Sequence, residues 1–318
     1  MNDKVTALHD LSWDYRAARV LQVANKLDIF TALADEEMAL EELCVKCQTK
    51  PEMTEKLLIA CTAMGLLEKR NERYANSELS KTYLVRGREL YQGDMIAHSS
   101  SVCNFWNSLE DEIRLATVPK DKQQDEYRNF IMGMHNIAVA GRAEVFVENI
   151  DLSGRKKLLD IGGGPGTYSI AACKRYPQLK AVVFDLPEAI SIANEIIAKE
   201  QMQDKVSTQE GSWEIDSFGE GYDVVLLSNV LHGPGSKAEK KLKKAYDSLL
   251  SGGLLAVQDF LLNDEKTGPL IPALFNIMVG SYSRCELLGL IKEAGFVGAE
   301  VVIGSKEIGF TWVTAEKA

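Results

Sequence analysis

Hydrophobic positions change their period once along the chain, near Lys156. From Trp13 to Leu33 apolar residues recur at helical spacing, at Ala17, Val20, Leu21, Ala24 and Leu27. Leu40–Leu43 and Glu52–Met64 add two more helices, with Pro51 near the start of the last. Gly65 to Tyr74 then reads as strand, polar turn and strand. Residues 96–150 predict a helical connector carrying Phe105, Trp106, Tyr127, Phe130, Met132, Met134 and His135, a stripe suited either to core packing or to a ligand wall. Beyond Lys156, β-rich runs at 157–161, 181–185, 206–210, 223–228 and 254–259 alternate with helical stretches at 167–176, 188–200 and 237–250. That alternation predicts an α/β fold with a parallel, doubly wound sheet over residues 151–318.

Composition narrows the function. A chain of 318 residues suits two domains of about 150 residues each, and 46% hydrophobic with 26% charged residues excludes disorder and collagen-like repeats. Three helices and a hairpin over residues 1–95 follow the order of a winged-helix module, whose usual association is DNA. The charge opposes that use. Residues 1–100 hold 13 Lys and Arg against 16 Asp and Glu, Glu52 and Glu55 lie on the would-be recognition helix, and the whole chain carries a formal charge of −10. Dimerisation or pocket lining is the expected role, with neither nucleic acid nor membrane as partner. Apolar runs such as Val224–Leu227 and Leu287–Ile291 are far shorter than the about 20 residues that span a bilayer. The opening residues show no apolar signal core, so a soluble, cytoplasmic protein is expected. Cys44 and Cys47 form a lone C-x-x-C and the other four cysteines are scattered. This is neither a disulfide framework nor a paired zinc spacing, and no metal is expected.

The chemistry concentrates after the first strand of the second half. Asp160-Ile161-Gly162-Gly163-Gly164-Pro165-Gly166-Thr167 runs from strand through glycine loop into helix. A dinucleotide fingerprint would need glycine where Thr167 stands, whereas D-x-G-x-G-x-G is filled by Asp160, Gly162, Gly164 and Gly166. The next strand ends in Asp185-Leu186-Pro187, and a carboxylate there can accept from both hydroxyls of a ribose.

With these motifs the chain resembles the class I S-adenosylmethionine-dependent methyltransferases, and within them the plant-type O-methyltransferases and their bacterial relatives. The resemblance also rests on Tyr15–Val20, Leu27–Phe30, Met64–Glu68, Leu231-His232, Ser251–Leu255 and Ala294-Gly295-Phe296, so it covers nearly the whole chain. It implies a seven-stranded catalytic domain behind a helical, winged-helix-like dimerisation domain, a homodimer, and a small-molecule acceptor. It also implies that the glycine loop, including Gly163, receives the methionine part of S-adenosylmethionine, released as S-adenosylhomocysteine, while Asp185 and Leu186 receive the ribose. Ser228 and Asn229, ending the fourth strand, join the cofactor set. Relatives usually have Gly-Asp and a bulky apolar residue on the adenine side; this chain has Gly211-Ser212-Trp213, where Ser212 can hydrogen-bond and Trp213 offers a stacking face.

Methyl transfer from a sulfonium expels a neutral thioether, so catalysis needs positioning and removal of the acceptor proton. The resemblance puts the general base at His232, whose imidazole titrates near neutrality, and a supporting acid at Asp259. Two departures stand out. Relatives commonly continue His-Asp-Trp where this chain has His232-Gly233-Pro234-Gly235, and the 276–283 segment, without a carboxylate, lacks the family's second acid. Glu286 on the following helix reads as a helix residue rather than its replacement. One orienting acid suits an acidic hydroxyl or thiol. Met134 matches the family position that clamps the acceptor ring, and Phe130, His135 and Met278 are candidate neighbours, with core packing an equal alternative for each. The sequence therefore predicts methylation of a small aromatic hydroxyl compound. An atypical reaction on the same fold and a cofactor-sensing winged-helix regulator are the alternatives.

Overall fold

The structure, a computed structural model, describes residues 3–101, 103–113, 122–304 and 310–318. The chain divides into two compact units, each discontinuous in sequence. One comprises Leu8–Lys120 and Leu262–Val279, the other Met1–Ala7, Asp121–Leu261 and Gly280–Ala318.

In the first unit the expected 13–33 helix is two helices, Tyr15–Lys26 and Ile29–Leu33, because Asp28 between them adopts a left-handed conformation (φ 54°) that an α-helix cannot carry. Helices Leu40–Cys47 and Pro51–Ala63 follow, the latter with proline in its first turn, where the missing N–H costs nothing. The hairpin forms from β2 (Leu67–Arg70) and β3 (Arg73–Asn76), and β1 (Met38–Ala39) adds to β3 through Met38 opposite Tyr74. Phe30, Leu58, Ile59, Cys61 and Tyr74 form the core. Asn76, itself buried, ties it by donating to the carbonyls of Phe30 and Ala34 at 2.8 and 2.9 Å.

The linear division at residue 151 does not describe this unit completely. Leu262 and Ala273 belong to the same core, and the Leu270–Val279 helix packs against Pro51–Ala63. The sequence signal was weak here because that helix is hydrophobic on nearly every side. An apolar groove on this unit is lined by Val20, Val23, Leu57, Leu274, Ile277 and Met278.

The second unit holds a seven-stranded sheet in the order β6-β5-β4-β7-β8-β10-β9. Its strands are β4 (Lys157–Ile161), β5 (Lys180–Asp185), β6 (Val206–Glu210), β7 (Tyr222–Ser228), β8 (Leu249–Phe260), β9 (Phe296–Gly304) and β10 (Phe310–Lys317). The first five are parallel, and β10 runs antiparallel to both β8 and β9. Parallel strands covered on both faces need unbroken apolar runs, which is what Val224, Val225, Leu226 and Leu227, all fully buried, supply. The strand order reverses between β4 and β7. Their carboxyl ends therefore open a crevice where the glycine loop leaves β4.

On one face of the sheet Leu242 and Ala245 pack on Val225, Val257 and Val313. On the other, Phe146 stacks on Trp312 at 4.9 Å while Tyr168 meets both rings edge-on. Trp312 is wholly buried. All six cysteines carry free thiols, and burial pushes Cys61 up to about 12 and Cys173 to about 11, which leaves both protonated and unreactive. The side chain of Phe105 lies outside the described residues. Among the described residues no helix is long and apolar enough to cross a membrane.

Candidate functional site

The β4–β5 ladder extends one bond into the loop, since the Gly162 N–H donates to the Phe184 carbonyl at 2.8 Å. Gly162, Gly164 and Gly166 then take φ values of 66°, 52° and 71°, a left-handed run that only glycine adopts without strain. Gly163 has a different reason to be glycine. A Cβ there would fall 2.7 Å from the Asp160 carboxyl carbon. Asp160 is buried beneath the loop and accepts from Ser169 Oγ at 2.8 Å. Burial pushes its carboxyl up to about 7, against the lowering effect of that bond.

Asp185 closes the loop from the other side. Its Oδ2 accepts from the Gly164 N–H at 2.8 Å and its Oδ1 from the Leu186 N–H at 2.7 Å, and burial raises its pKa despite both bonds. Each oxygen keeps a second lone pair, enough for the two hydroxyls of a ribose. A Cβ on Gly164 would meet nothing within 4 Å, so open space lies above the loop. Open space, a glycine backbone and a carboxylate with lone pairs to spare together fit S-adenosylmethionine. Among the described residues no group of three His, Cys, Asp or Glu side chains could hold a metal ion.

At the β6 end, Gly211 continues the ladder by donating to the Asp185 carbonyl at 2.9 Å, and a Cβ there would strike the Phe184 ring at 2.6 Å. The Ser212 N–H donates to Asp216 Oδ2 at 2.8 Å. A carboxylate is thus present at this turn, four positions beyond where relatives carry it. The sequence reading missed Asp216: serine, aspartate and glycine over residues 212–219 mark a turn in general, but not which carboxylate closes it. Trp213 has Lys241 Nζ 4.3 Å and Lys237 Nζ 5.5 Å from its ring, so cations already occupy part of its stacking surface. Ser228 Oγ and Asn229 Nδ2 both donate to Gln258 Oε1, at 2.8 and 3.1 Å.

His232 follows β7 and faces β8. Its Nδ1 lies 2.9 Å from Asp259 Oδ1, with the imidazole partly exposed and the carboxylate buried. Asp259 also accepts the Leu231 and Phe260 N–H groups at 3.1 and 2.8 Å, so three donors fix its orientation. Burial alone would lower the His232 pKa. The hydrogen bond and charge of Asp259 outweigh it, and the net shift is upward. With the Nδ1 proton directed at Asp259, Nε2 is the basic nitrogen.

The neighbouring positions explain the departures from the family. Gly233 (φ 43°) and Gly280 (φ 88°) pack backbone against backbone, so a Cβ at 233 would come within 2.8 Å of Gly280 Cα. No side chain fits at 233. Glu286 belongs to a capping box: Ser283 N–H donates to its Oε2 at 2.7 Å and its own N–H donates to Ser283 Oγ at 3.3 Å.

Of the acceptor candidates, His135 lies beside the glycine loop, with Nδ1 2.8 Å from Thr167 Oγ1 and a pKa lowered by burial and by Lys199. Met134 is half-buried on the same helix and Phe130 is 58% exposed. Met278 lines the groove of the other unit.

Comparison with known proteins agrees with this geometry. Residues 116–297 match the family described as the O-methyltransferase domain, and residues 10–86 match the O-methyltransferase dimerisation domain. The chain is 31% identical to 3-hydroxy-5-methyl-1-naphthoate 3-O-methyltransferase of Streptomyces sahachiroi, over 91% of this chain and 89% of that one. It is 29% identical to acetylserotonin O-methyltransferase of Bos taurus, over 89% of each. Among solved structures, an O-methyltransferase family 2 protein from Planctomyces limnophilus in complex with apigenin superposes with a TM-score of 0.81 at 26% identity, over 99% of this chain and 96% of that one. The N-terminal segment thus matches a dimerisation domain rather than a regulator. The chain belongs to the O-methyltransferase family and is an S-adenosylmethionine-dependent methyltransferase of the class I type.

Proposed function

We propose that the protein methylates a hydroxyl group on a small aromatic acceptor, with His232 as general base and Asp259 as the residue that orients it. The observation that carries this reading is the 2.9 Å bond from His232 Nδ1 to a buried carboxylate held by two further N–H donors. It fixes the imidazole tautomer and leaves Nε2 to take the acceptor proton. The cofactor supplies, when bound, an electrophilic methyl group on a sulfonium. Asp160, Gly162, Gly163, Gly164 and Gly166 are proposed to hold its methionine end with Ser228 and Asn229, Asp185 and Leu186 its ribose, and Gly211, Ser212 and Trp213 its adenine. Phe130, Met134 and His135 carry over as proposed acceptor contacts, as does Met278 by family position alone. Two named relatives act on a hydroxynaphthoate and on acetylserotonin, both aromatic, and the dimerisation-domain match supports a homodimer. Because the 276–283 segment carries no carboxylate, Asp259 is the acid that supports the base among the described residues, which favours a phenol over an aliphatic alcohol.

A panel of phenols and aliphatic alcohols assayed with labelled S-adenosylmethionine tests this reading. Phenols are expected to be methylated, and His232→Ala to lose about 10²-fold or more in turnover while binding S-adenosylhomocysteine as before. Wild-type turnover in that variant would remove His232 from the mechanism.

A further inference from the structure

Between the Lys122–Ile137 and Ala143–Asn149 helices the chain kinks at Gly141, whose φ of 134° lies outside the helical region. Arg142 follows this kink and is 5% exposed. Its guanidinium sits 5.3 Å from the ring centroids of both Phe260 and Phe310, which stand directly opposite each other in the β8–β10 ladder. The two rings attract the charge but accept none of its in-plane N–H bonds. Arg142 Nε has no hydrogen-bond partner, and among the described residues no carboxylate pairs with the guanidinium. Burial accordingly lowers its pKa.

The surroundings supply further unpaired donors, while the unpaired acceptor of the cluster, Asn229 Oδ1, is neutral and cannot balance the charge. Gln258 and Trp312 form a cross-strand pair two residues further along the same face. Gln258 Nε2 and Trp312 Nε1 are both buried N–H groups without partners. An unpaired buried cation beside unpaired donors is unfavourable unless an anion completes it. The cluster also reaches the carboxyl end of β7, because Gln258 holds Ser228 and Asn229 there.

We propose that Arg142 anchors a carboxylate carried by one of the two reactants at the methyl-transfer site. A guanidinium presents a planar fork of donors that matches a carboxylate in two parallel bonds. Both possible sources share that chemistry: the methionine carboxylate of the cofactor, and a carboxylate on the acceptor ring. Only the second source rests on the proposed function.

The test uses the full-length protein and the variants Arg142→Met and Arg142→Lys. Calorimetry compares S-adenosylhomocysteine with 5′-methylthioadenosine, which lacks the amino-carboxylate group. Kinetics compare a hydroxybenzoate with the corresponding neutral phenol. If the cofactor supplies the carboxylate, Arg142→Met weakens S-adenosylhomocysteine by about 10- to 100-fold and leaves methylthioadenosine unchanged. If the acceptor supplies it, cofactor affinity holds while KM for the hydroxy acid rises by a similar factor and that for the phenol does not. Arg142→Lys is expected to recover part of either loss. Unchanged affinities and KM values, with only a lower melting temperature, would make Arg142 a structural plug and overturn the inference. Should Arg142→Met fail to fold, the wild-type pairs and Arg142→Lys decide: no preference for the carboxylate-bearing member of either pair overturns it. A protein that methylates no phenol but binds S-adenosylhomocysteine through Arg142 would sink the acceptor reading and leave this one standing.

Discussion

Restoring the acid that relatives carry after the histidine at this position tests how the turn was built. In Gly233→Asp the new Cβ lies 2.8 Å from Gly280 Cα and 2.9 Å from Gly280 C and Ser281 N. All three are backbone atoms, so no side-chain rotation relieves the contact. Overpacking of this kind costs about 1–3 kcal/mol. The backbone at this position (φ 43°, ψ −176°) lies in a region open essentially to glycine alone and adds about 1–3 kcal/mol for a residue with a Cβ. The sum, about 2–6 kcal/mol, lowers the melting midpoint by roughly 5–25 °C at about 2–4 °C per kcal/mol. The extra carboxylate is expected to bring no gain in turnover, because the turn that carries His232 must shift to admit it. Gly235→Asp is the matched control: a Cβ there meets nothing within 4 Å, and its midpoint should stay near that of the parent. The assay is calorimetric melting alongside methyl transfer. A Gly233→Asp variant that melts with the parent and turns over faster would refute the steric argument.

The remaining predictions concern titration. Asp259 outweighs burial in raising the His232 pKa above 6.5, so the acid limb of kcat/KM should lie above that value; Asp259→Asn should move the limb to lower pH and cut turnover by about 10²-fold or more. An unmoved limb would assign it to another group. Asp160 is raised from 3.8 to about 7, so the folded state favours its protonated form. That contribution is complete below the unfolded pKa and is lost as pH rises through about 7, on the order of 4 kcal/mol at most at about 1.4 kcal/mol per unit. Asp160→Asn should therefore gain stability relative to the parent between pH 4 and 8, and parallel melting curves over that range would show that Asp160 stays ionised.

Much of this protein was legible in its sequence because local signals agreed with one another. The Leu158–Thr167 strand, loop and helix announce themselves by apolar run, glycine spacing and following helical period, and each is set by backbone sterics within a few residues. The placement of Asp185 at the end of β5 and of His232 just after β7 was readable for the same reason, since strand ends in a parallel sheet point toward one crevice. The tertiary structure alone decided what depends on residues distant in sequence. Gly233 is glycine because of Gly280, 47 positions later, and that contact only exists once β7 and the 280–283 turn are brought together. Arg142 looks like a surface cation in its helix, and only the pairing of Phe260 with Phe310 on antiparallel strands buries it. The Leu270–Val279 helix joins the N-terminal unit for a similar reason. Its apolar residues fit several partners, and packing rather than periodicity selects one.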